Sequence, residues 1–447
     1  MSKPLIITYP NEILKKKTHK VVSFDNALKQ QITEMVEALR EDNGMGLAAN
    51  QIGYDNQVII AEFDDPDGKE PIPLSVFVNP EIVEFSGETD LMDEGCLSIP
   101  RVELETERAK KIKIKYQNED GQIVKIAPKG ILARILQHEV DHLNGIMFTD
   151  RVKNKYFKDY PELKKVKILF CGSGEYARII LRGLLAMGFD LTIITETAKP
   201  SGRGREITNT PAAEEASHWG KKYIQTDDIS KLEIRNEKFD LLICSDFGQK
   251  IPDKILNSVK IPINVHPSLL PKYRGATPIQ TAIFNGDKET GVSLIRMSPQ
   301  IDQGLVLAQI TTEIDAEDDS LTLKERLSVL GLKVLVKVLP KIWSGEIKGS
   351  TQDEARVTKT RKFTKEDGLV DWNRTPQEID RQIRALYPWP GTYTFYDNKR
   401  LIIHLAHLEN NQLVLDIIQP EGKKPMVFKD FLLGLKNKPE WITKVKV

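Results

Sequence analysis

Three separated segments of the sequence carry residues that could hold one metal ion. Residues 138–142 read His-Glu-Val-Asp-His, and on a helix two histidines four positions apart lie on one face. Cys96, in the run Glu-Gly-Cys-Leu-Ser at 94–98, can add a thiolate to the imidazoles of His138 and His142. Three protein ligands leave one position open for water, so the pattern predicts a catalytic metal site rather than a structural one.

The same segments offer the other groups that hydrolysis of a carbonyl compound needs. Glu139 would take a proton from water and later deliver it to the leaving amine. Gln51, in a glycine-containing run at 44–51, and the backbone N–H of Leu97 would donate hydrogen bonds to the oxyanion. Asp141 would either orient a ligand or cap a helical turn, and the sequence leaves both roles open.

These segments resemble the three signature motifs of peptide deformylases, over roughly residues 1–151. The likeness extends to Ala-Arg-Ile-Leu-Gln at 133–137 and to His-Leu-Asn-Gly at 142–145. The resemblance implies an enzyme that removes the N-formyl group from nascent formyl-methionyl peptides. It also implies iron(II) as the metal, with zinc, nickel or cobalt able to replace it, whereas the ligand set alone suits both Zn²⁺ and Fe²⁺.

A second group of polar residues follows a predicted strand at 261–265. Asn264 and His266, two positions apart, point to the same side and would emerge where α/β sheets bind ligands. Asp302, in the run Ile-Asp-Gln-Gly at 301–304, adds a carboxylate beside a turn. This set suits acyl transfer to an amine. Asn264 and His266 would stabilise the oxyanion, and Asp302 would support His266 and help receive the proton of the amine.

The run at 264–278 resembles the active-site signature of folate-dependent formyltransferases, with methionyl-tRNA formyltransferases the best match, over roughly residues 166–447. The resemblance implies transfer of a formyl group from 10-formyltetrahydrofolate to the methionine amine of initiator tRNA. The loop that would border the folate pocket consists of Ser268, Leu269, Leu270 and Pro271. One position departs from the family: Asp246 stands in a loop that usually reads Ala-Tyr-Gly.

Alternative functions of this second part stay open at the level of sequence. Residues 172–177, with Glu196 about 20 residues on, have the spacing of a dinucleotide-binding fingerprint, although the catalytic set needs no nicotinamide. The acceptor could be a small amine, such as a sugar nucleotide or glycinamide ribonucleotide. One part could also be a non-catalytic binding module for ribosome or tRNA. Arg203 and Arg205 favour tRNA, because they could bind its acceptor-stem phosphates.

Composition narrows the class of protein. A length of 447 residues predicts two or three domains, and 64 basic against 64 acidic residues exclude a polycation. The cysteines, Cys96, Cys171 and Cys244, are too few for a disulfide framework and favour a reducing cytoplasm. No stretch reaches the ~20 apolar residues of a membrane span.

Several elements must position these residues. We predict an amphipathic helix over 27–40 and a closing helix from Ile131 that carries both histidines on an apolar stripe. Strands alternating with helices from residue 166 predict a Rossmann-like domain with a parallel sheet. Between His404 and Pro420 there is room for only about one strand, so a small β-rich, OB-like domain there would be truncated.

The predicted organisation is multidomain, α+β followed by α/β. The five segments are an α+β metal hydrolase domain at 1–151, a linker at 152–165, a formyltransferase catalytic domain at 166–345, a second linker at 346–365, and a small tRNA-contacting domain at 366–447.

Overall fold

The computed structural model describes residues 5–65, 71–201, 206–233, 238–435 and 439–446. The chain divides into two compact units. The first comprises Met1–Val166, Leu181–Asp190 and Ser217–Lys221, and the second comprises Lys167–Ile180, Leu191–Ala216 and Lys222–Val447. The finer division predicted from the sequence stays a prediction. Of the helices in the described part of the chain, none has the length and apolar character that a membrane crossing requires.

The first part of the chain is an α+β structure. Its helices are α1 (Asn26–Glu41), α2 (Gly130–Leu143) and α3 (Phe148–Phe157). Its strands are β1 (Gly46–Ala48), β2 (Val58–Phe63), β3 (Ile72–Phe85), β4 (Thr89–Cys96), β5 (Ile99–Ala109), β6 (Ile112–Gln117) and β7 (Ile123–Ile126). Strands β1-β2-β3-β6-β7 form an antiparallel sheet, and β4 and β5 pair separately as a hairpin.

Helices α1 and α2 confirm the helices predicted over 27–40 and from Ile131. The side chain of Asp25 accepts hydrogen bonds from the N–H groups of Ala27 and Leu28, so α1 begins with a side-chain cap. Helix α2 buries Leu136 and Leu143 completely and packs with the sheet in one core. This burial places the histidines of the same helix in protected surroundings.

The chain beyond residue 166 continues as an α/β structure. Its helices are α4 (Glu175–Ala186), α5 (Pro211–His218), α6 (Asp253–Leu256), α7 (Pro278–Asn285) and α8 (Ser320–Trp343). Its strands are β8 (Lys167–Gly172), β9 (Asp190–Thr195), β10 (Lys199–Ser201), β11 (Glu206–Thr208), β12 (Tyr223–Gln225), β13 (Phe239–Ser245), β14 (Val259–His266), β15 (Glu289–Arg296) and β16 (Leu305–Glu313).

The large sheet of this part is mixed rather than purely parallel. Its order in the described residues is β12-β9-β8-β13-β14-β15-β16. Strands β8, β13 and β14 pair in parallel, as do β9 and β12, which is the predicted arrangement. Strands β15 and β16 join antiparallel at one edge, where two strands follow each other without a crossover helix.

The last part of the chain is a small β-rich structure. It contains α9 (Pro376–Leu386), α10 (Phe428–Leu433), β17 (Thr392–Tyr396), β18 (Lys399–Glu409), β19 (Gln412–Pro420), β20 (Met426–Val427) and β21 (Val445–Lys446). The expectation of a single strand between His404 and Pro420 is wrong, because β18 and β19 both run through this interval. Asn410 and Asn411 have φ of 51° and 62°, and such a two-residue turn leaves room for both strands.

Candidate active sites

The three predicted metal ligands converge in the structure. Cys96 ends β4, whereas His138 and His142 lie one turn apart on α2. The ligand atoms of these residues all lie within 4.8 Å of one another, and Cys96 Sγ is 3.2 Å from His142 Nε2. One thiolate and two imidazoles at this separation fit a divalent transition metal.

Glu139 lies buried beside these ligands, with 4% of its surface exposed. Burial raises the pKa of Glu139 to about 7, although the positive charges of His138 and Arg108 oppose this. Among the described residues, Oε2 of Glu139 has no hydrogen-bond partner, so this oxygen is left for a bound molecule. A Cβ on Gly46 would lie 2.7 Å from Oε1 of Glu139, so the glycine is required for this close approach.

Gln51, the predicted oxyanion donor, lies beside the predicted cysteine ligand. Its amide nitrogen donates to Ser98 Oγ (3.2 Å) and lies 3.7 Å from Cys96 Sγ. Its carbonyl oxygen accepts from the N–H of Ala48 (2.8 Å), which fixes the orientation of the amide. Leu97 follows Cys96 directly, so its backbone N–H is adjacent to the same ligand.

An ion network behind His138 was missed by the sequence reasoning. Oε2 of Glu94 is 3.1 Å from His138 Nδ1, and Arg108 donates to both oxygens of Glu94 at 3.0 and 2.9 Å. Arg134 adds a further bond to Glu94 of 2.6 Å. Although burial acts to raise it, hydrogen bonds from His138 and Arg108 hold the pKa of Glu94 well below its usual value.

The signal for this network was present in the sequence motifs. Glu94 stands two residues before the cysteine ligand, and Arg134 lies in the run that precedes the histidines. Asp141, whose role the sequence left open, accepts hydrogen bonds from Arg108 (2.5 Å) and from Arg151. Asp141 therefore contacts Arg108, which binds Glu94, and Glu94 is the carboxylate that lies against His138 Nδ1. A carboxylate on a ligand histidine fixes the tautomer and orientation of the ring.

The second predicted set also converges. Asn264 and His266 lie at the end of β14, and the amide nitrogen of Asn264 donates to Asp302 Oδ1 (3.2 Å). His266 Nδ1 is 3.6 Å from the same oxygen, while Nε2 lies 3.0 Å from the carbonyl of Tyr273. Since a carbonyl only accepts, the proton is on Nε2, and Nδ1 is the nitrogen that faces Asp302. The N–H of Gly275 donates to Asp302 Oδ2 (2.9 Å).

Asn264, His266 and Asp302 line a cavity of about 530 Å³. Its walls include residues 246–251 and 297–302, with Asp246 among them. The predicted folate loop at 268–271 is placed differently: of its described residues, none lines this cavity. The loop is hydrogen-bonded to the neighbouring strand β15: the N–H of Leu270 donates to Ser293 Oγ at 2.9 Å.

The residues predicted to contact folate and tRNA differ in how the structure describes them. Within the folate loop, Ser268 and Leu270 are buried, and Leu269 and Pro271 are half-buried. Arg203 and Arg205 lie outside the described residues.

The turn that resembles a dinucleotide fingerprint is filled by protein atoms. The N–H groups of Ser173 and Gly174 point to the carbonyl of Asp246, at 3.1 and 3.4 Å. A Cβ on Gly174 would lie 2.0 Å from the carboxylate oxygen Oδ2 of Asp246. Because a dinucleotide places its pyrophosphate at this helix start, a carboxylate here repels it.

Comparison with known proteins agrees with this division of chemistry. Family models match as Polypeptide deformylase over residues 4–158, Formyl transferase over 164–339, and Formyl transferase, C-terminal domain over 362–413. The methionyl-tRNA formyltransferase of Streptococcus mutans is 34% identical over 300 residues, which cover 61% of this chain and 96% of the relative. That of Marinobacter nauticus is 36% identical over 250 residues, which cover 54% of this chain and 79% of the relative.

Among solved structures, a peptide deformylase from Acinetobacter baumannii with bound Met-Ala-Ser is 40% identical. It covers 34% of this chain and 99% of its own, with a TM-score of 0.33. The metal-ligand set lies inside the deformylase match, and Asn264, His266 and Asp302 lie inside the formyltransferase match. The chain belongs to the methionyl-tRNA formyltransferase family and carries a polypeptide deformylase region ahead of it, so that one polypeptide holds both enzymes.

Proposed function

We propose that the chain acts on N-formylmethionine twice, at two separate sites. The site around Cys96 hydrolyses the formyl group from nascent formyl-methionyl peptides. The site around Asp302 transfers formyl from 10-formyltetrahydrofolate to the amine of methionyl-initiator tRNA. The observation that carries this proposal is that each matched region contains a complete, converging set of reactive side chains.

At the deformylase site, Cys96, His138 and His142 would hold the metal, which when bound supplies a Lewis acid that makes water a nucleophile near neutral pH. Glu139 is placed to take the proton from this water and to deliver it to the amine that leaves with the peptide. Gln51 and the N–H of Leu97 donate to the oxygen of the formyl carbonyl as negative charge develops there. We propose iron(II) as the metal.

At the formyltransferase site, the amine of methionine attacks the formyl carbon of the donor. The new C–N bond forms as the bond from the formyl carbon to N10 of the folate breaks, and tetrahydrofolate leaves. Asn264 donates to the oxyanion, and Nδ1 of His266 is free to take the proton that the amine loses. Asp302 stabilises the resulting imidazolium across 3.6 Å, and the proton is passed on to N10.

The same family membership supports a proposal for the acceptor and the partners. Curated relatives over this region are methionyl-tRNA formyltransferases, which supports a tRNA acceptor over a small amine. We further propose that the folate lies against residues 246–251 of the cavity wall; the loop at 268–271, which the resemblance predicted to border the folate pocket, does not line this cavity. Arg203 and Arg205 would contact tRNA phosphates. The protein would act in the cytoplasm, close to the ribosome, where both substrates occur.

Selective inactivation of each site tests the proposal on the full chain. Glu139→Ala should abolish deformylation of a formyl-methionyl peptide, because the proton acceptor is removed, and should leave formylation of methionyl-initiator tRNA intact. Asn264→Ala and His266→Ala should do the reverse. A loss of roughly 10²–10³-fold in kcat is expected for the single oxyanion donor Asn264.

Each half of the proposal has an outcome that removes it. Unchanged deformylation in Glu139→Ala would remove the hydrolase assignment. Formylation of glycinamide ribonucleotide in place of charged initiator tRNA would replace the acceptor. If metal analysis of anaerobically purified protein finds zinc and no iron, the assignment of iron(II) is contradicted.

A further inference from the structure

The side-chain amide of Gln352 joins two loops of the formyltransferase site. Its nitrogen donates to the backbone carbonyl of Asp302 (2.7 Å) and to that of Gly304 (2.9 Å). Its oxygen accepts from Nε and Nη2 of Arg274, at 3.0 and 2.9 Å. A single carboxamide therefore uses both of its donors and both of its acceptor positions between these loops.

The surrounding segment strengthens this connection. Backbone hydrogen bonds link Arg274 N–H to Thr358 O (2.9 Å) and Thr360 N–H to Arg274 O (2.8 Å), as in a pair of parallel strands. The guanidinium of Arg274, 4% exposed, also forms an ion pair with Glu354 at 2.7 Å. Residues 350–360, which the sequence places in a linker, thus run along the loop 271–277.

The backbone conformation of Asp302 is one that neighbouring contacts must stabilise. The φ of Asp302 is +57°, a left-handed conformation that non-glycine residues adopt uncommonly. Its carboxylate must at the same time meet Asn264, His266 and the N–H of Gly275. Gln352 donates to the carbonyl of Asp302. It also accepts from the side chain of Arg274, the residue directly before Gly275.

We propose that Gln352 is a positioning residue of the formyltransferase site and that residues 350–360 form an active-site strap. The inference rests on the proposed catalytic role of Asp302. Gln352 touches neither the formyl donor nor the amine. It fixes the backbone of Asp302 so that the carboxylate stays aligned with His266 and Asn264. A transferase reaction in this chain therefore depends on a segment outside the family-model match that ends at residue 339.

Two variants separate hydrogen-bond donation from packing. Gln352→Glu keeps the length of the side chain and can still accept from Arg274, but it places a carboxylate oxygen against the carbonyls of Asp302 and Gly304. Gln352→Leu removes all four hydrogen bonds. Since a misplacement of ~1 Å can cost about 10²-fold, we expect kcat for formyl transfer to fall by roughly ten- to a hundred-fold in both variants. The KM values for methionyl-tRNA and formyl donor should remain near those of the unmodified chain.

Gln382→Leu is the matched control. The amide of Gln382 also donates to two backbone carbonyls, those of Asp367 (2.7 Å) and Leu369 (3.1 Å), within the small C-terminal structure. Gln382 is buried, so it is not a surface residue of the predicted tRNA-contacting domain, and its replacement should lower Tm without lowering kcat per folded molecule. Deformylation by the same polypeptide serves as an internal standard for the amount of chain in each sample.

The dependence of kcat on pH distinguishes a positioning role from a loss of stability, because lower stability alone does not change the pH profile of the folded enzyme. A displaced Asp302 changes the charge that His266 faces, so the pH profile of kcat should shift in Gln352→Glu and stay unchanged in Gln382→Leu. An unaltered kcat and pH profile in both Gln352 variants, with Asp302→Asn inactive, would overturn the positioning role alone. An active Asp302→Asn would overturn it together with the proposed role of Asp302. A loss of kcat of similar size in Gln382→Leu would reduce Gln352 to a structural role and overturn the inference.

Discussion

The deformylase site depends on a missing methyl group. Gly46 is not among the glycines with a positive φ, so its backbone angle does not explain the need for glycine there. A Cβ at this position would instead lie 2.7 Å from both Oε1 of Glu139 and Cγ2 of Ile135. Such distances force the neighbouring side chain to move, and Glu139 is the group that must keep its place beside the metal ligands.

Replacing Gly46 by alanine should therefore impair deformylation more than it impairs folding. The added methyl displaces Glu139, and a displacement of ~1 Å can lower the rate by about 10²-fold. The kinetics of full-length protein with a formyl-methionyl peptide, together with Tm, measure the two effects. Formyl transfer by the same sample should be unchanged.

Gly87 provides the comparison. Among the described residues, no heavy atom lies within 4 Å of a Cβ built on Gly87, which follows β3 on the surface. Gly87→Ala should leave both activities as they are. Equal losses of deformylation in the two variants would show that the close approach at Gly46 has no catalytic consequence.

At the scale of elements, buried charge ties the β4–β5 hairpin to α2. Arg108 on β5 is 4% exposed and bonds Glu94 on β4 and Asp141 on α2. Arg134 on α2 bonds the same Glu94. The hairpin, whose first strand ends at Cys96, is thus held to the helix that carries His138 and His142.

Arg108→Met should destabilise this structure strongly. Removal of one partner leaves the carboxylates of Glu94 and Asp141 buried with less compensation, and such changes typically cost about 3–5 kcal/mol. The urea concentration at which deformylation is half lost, after equilibration of the full chain, measures the effect. It should fall well below that of the unmodified protein.

The exposed pair of Lys113 and Glu84 is the control for charge loss. Both side chains are 59% exposed, and exposed pairs contribute only about 0–1 kcal/mol. Lys113→Met should therefore leave the urea midpoint almost unchanged. A similar drop in both variants would contradict a special role for the buried network.

Sequence reasoning succeeded at elements where the chemistry is local. The ligands of α2 share one helix, and Asn264 and His266 share one strand, so spacing alone predicts that they converge. Gln352 is 50 residues from Asp302 and 78 residues from Arg274 along the chain. Contacts between residues so far apart produce no periodic pattern in the sequence, so they could not be predicted from it. The turn between β18 and β19 is formed by Asn410 and Asn411, and an asparagine pair is a weaker turn signal than a pair that contains glycine.

At the scale of the whole molecule, the two reactions act on one group in opposite directions. Formyl is added to the amine of methionine at one site, and it is removed from the same amine at the other. The substrates differ, because the first is an aminoacyl-tRNA and the second a peptide. The ligand set and the set around Asp302 belong to different compact units, so each chemistry can be altered while the other reports on the integrity of the chain.

Metal removal should separate the two activities without any substitution. Treatment of the full chain with a strong chelator should abolish deformylation, because Cys96, His138 and His142 then hold nothing that activates water. Formyl transfer should persist at its initial rate, since Asn264 and His266 act through hydrogen bonds and proton transfer alone. Anaerobic addition of Fe²⁺ should restore deformylation. A parallel loss of both activities, with both restored by Fe²⁺, would contradict this independence and would make the metal a requirement of the transferase site as well.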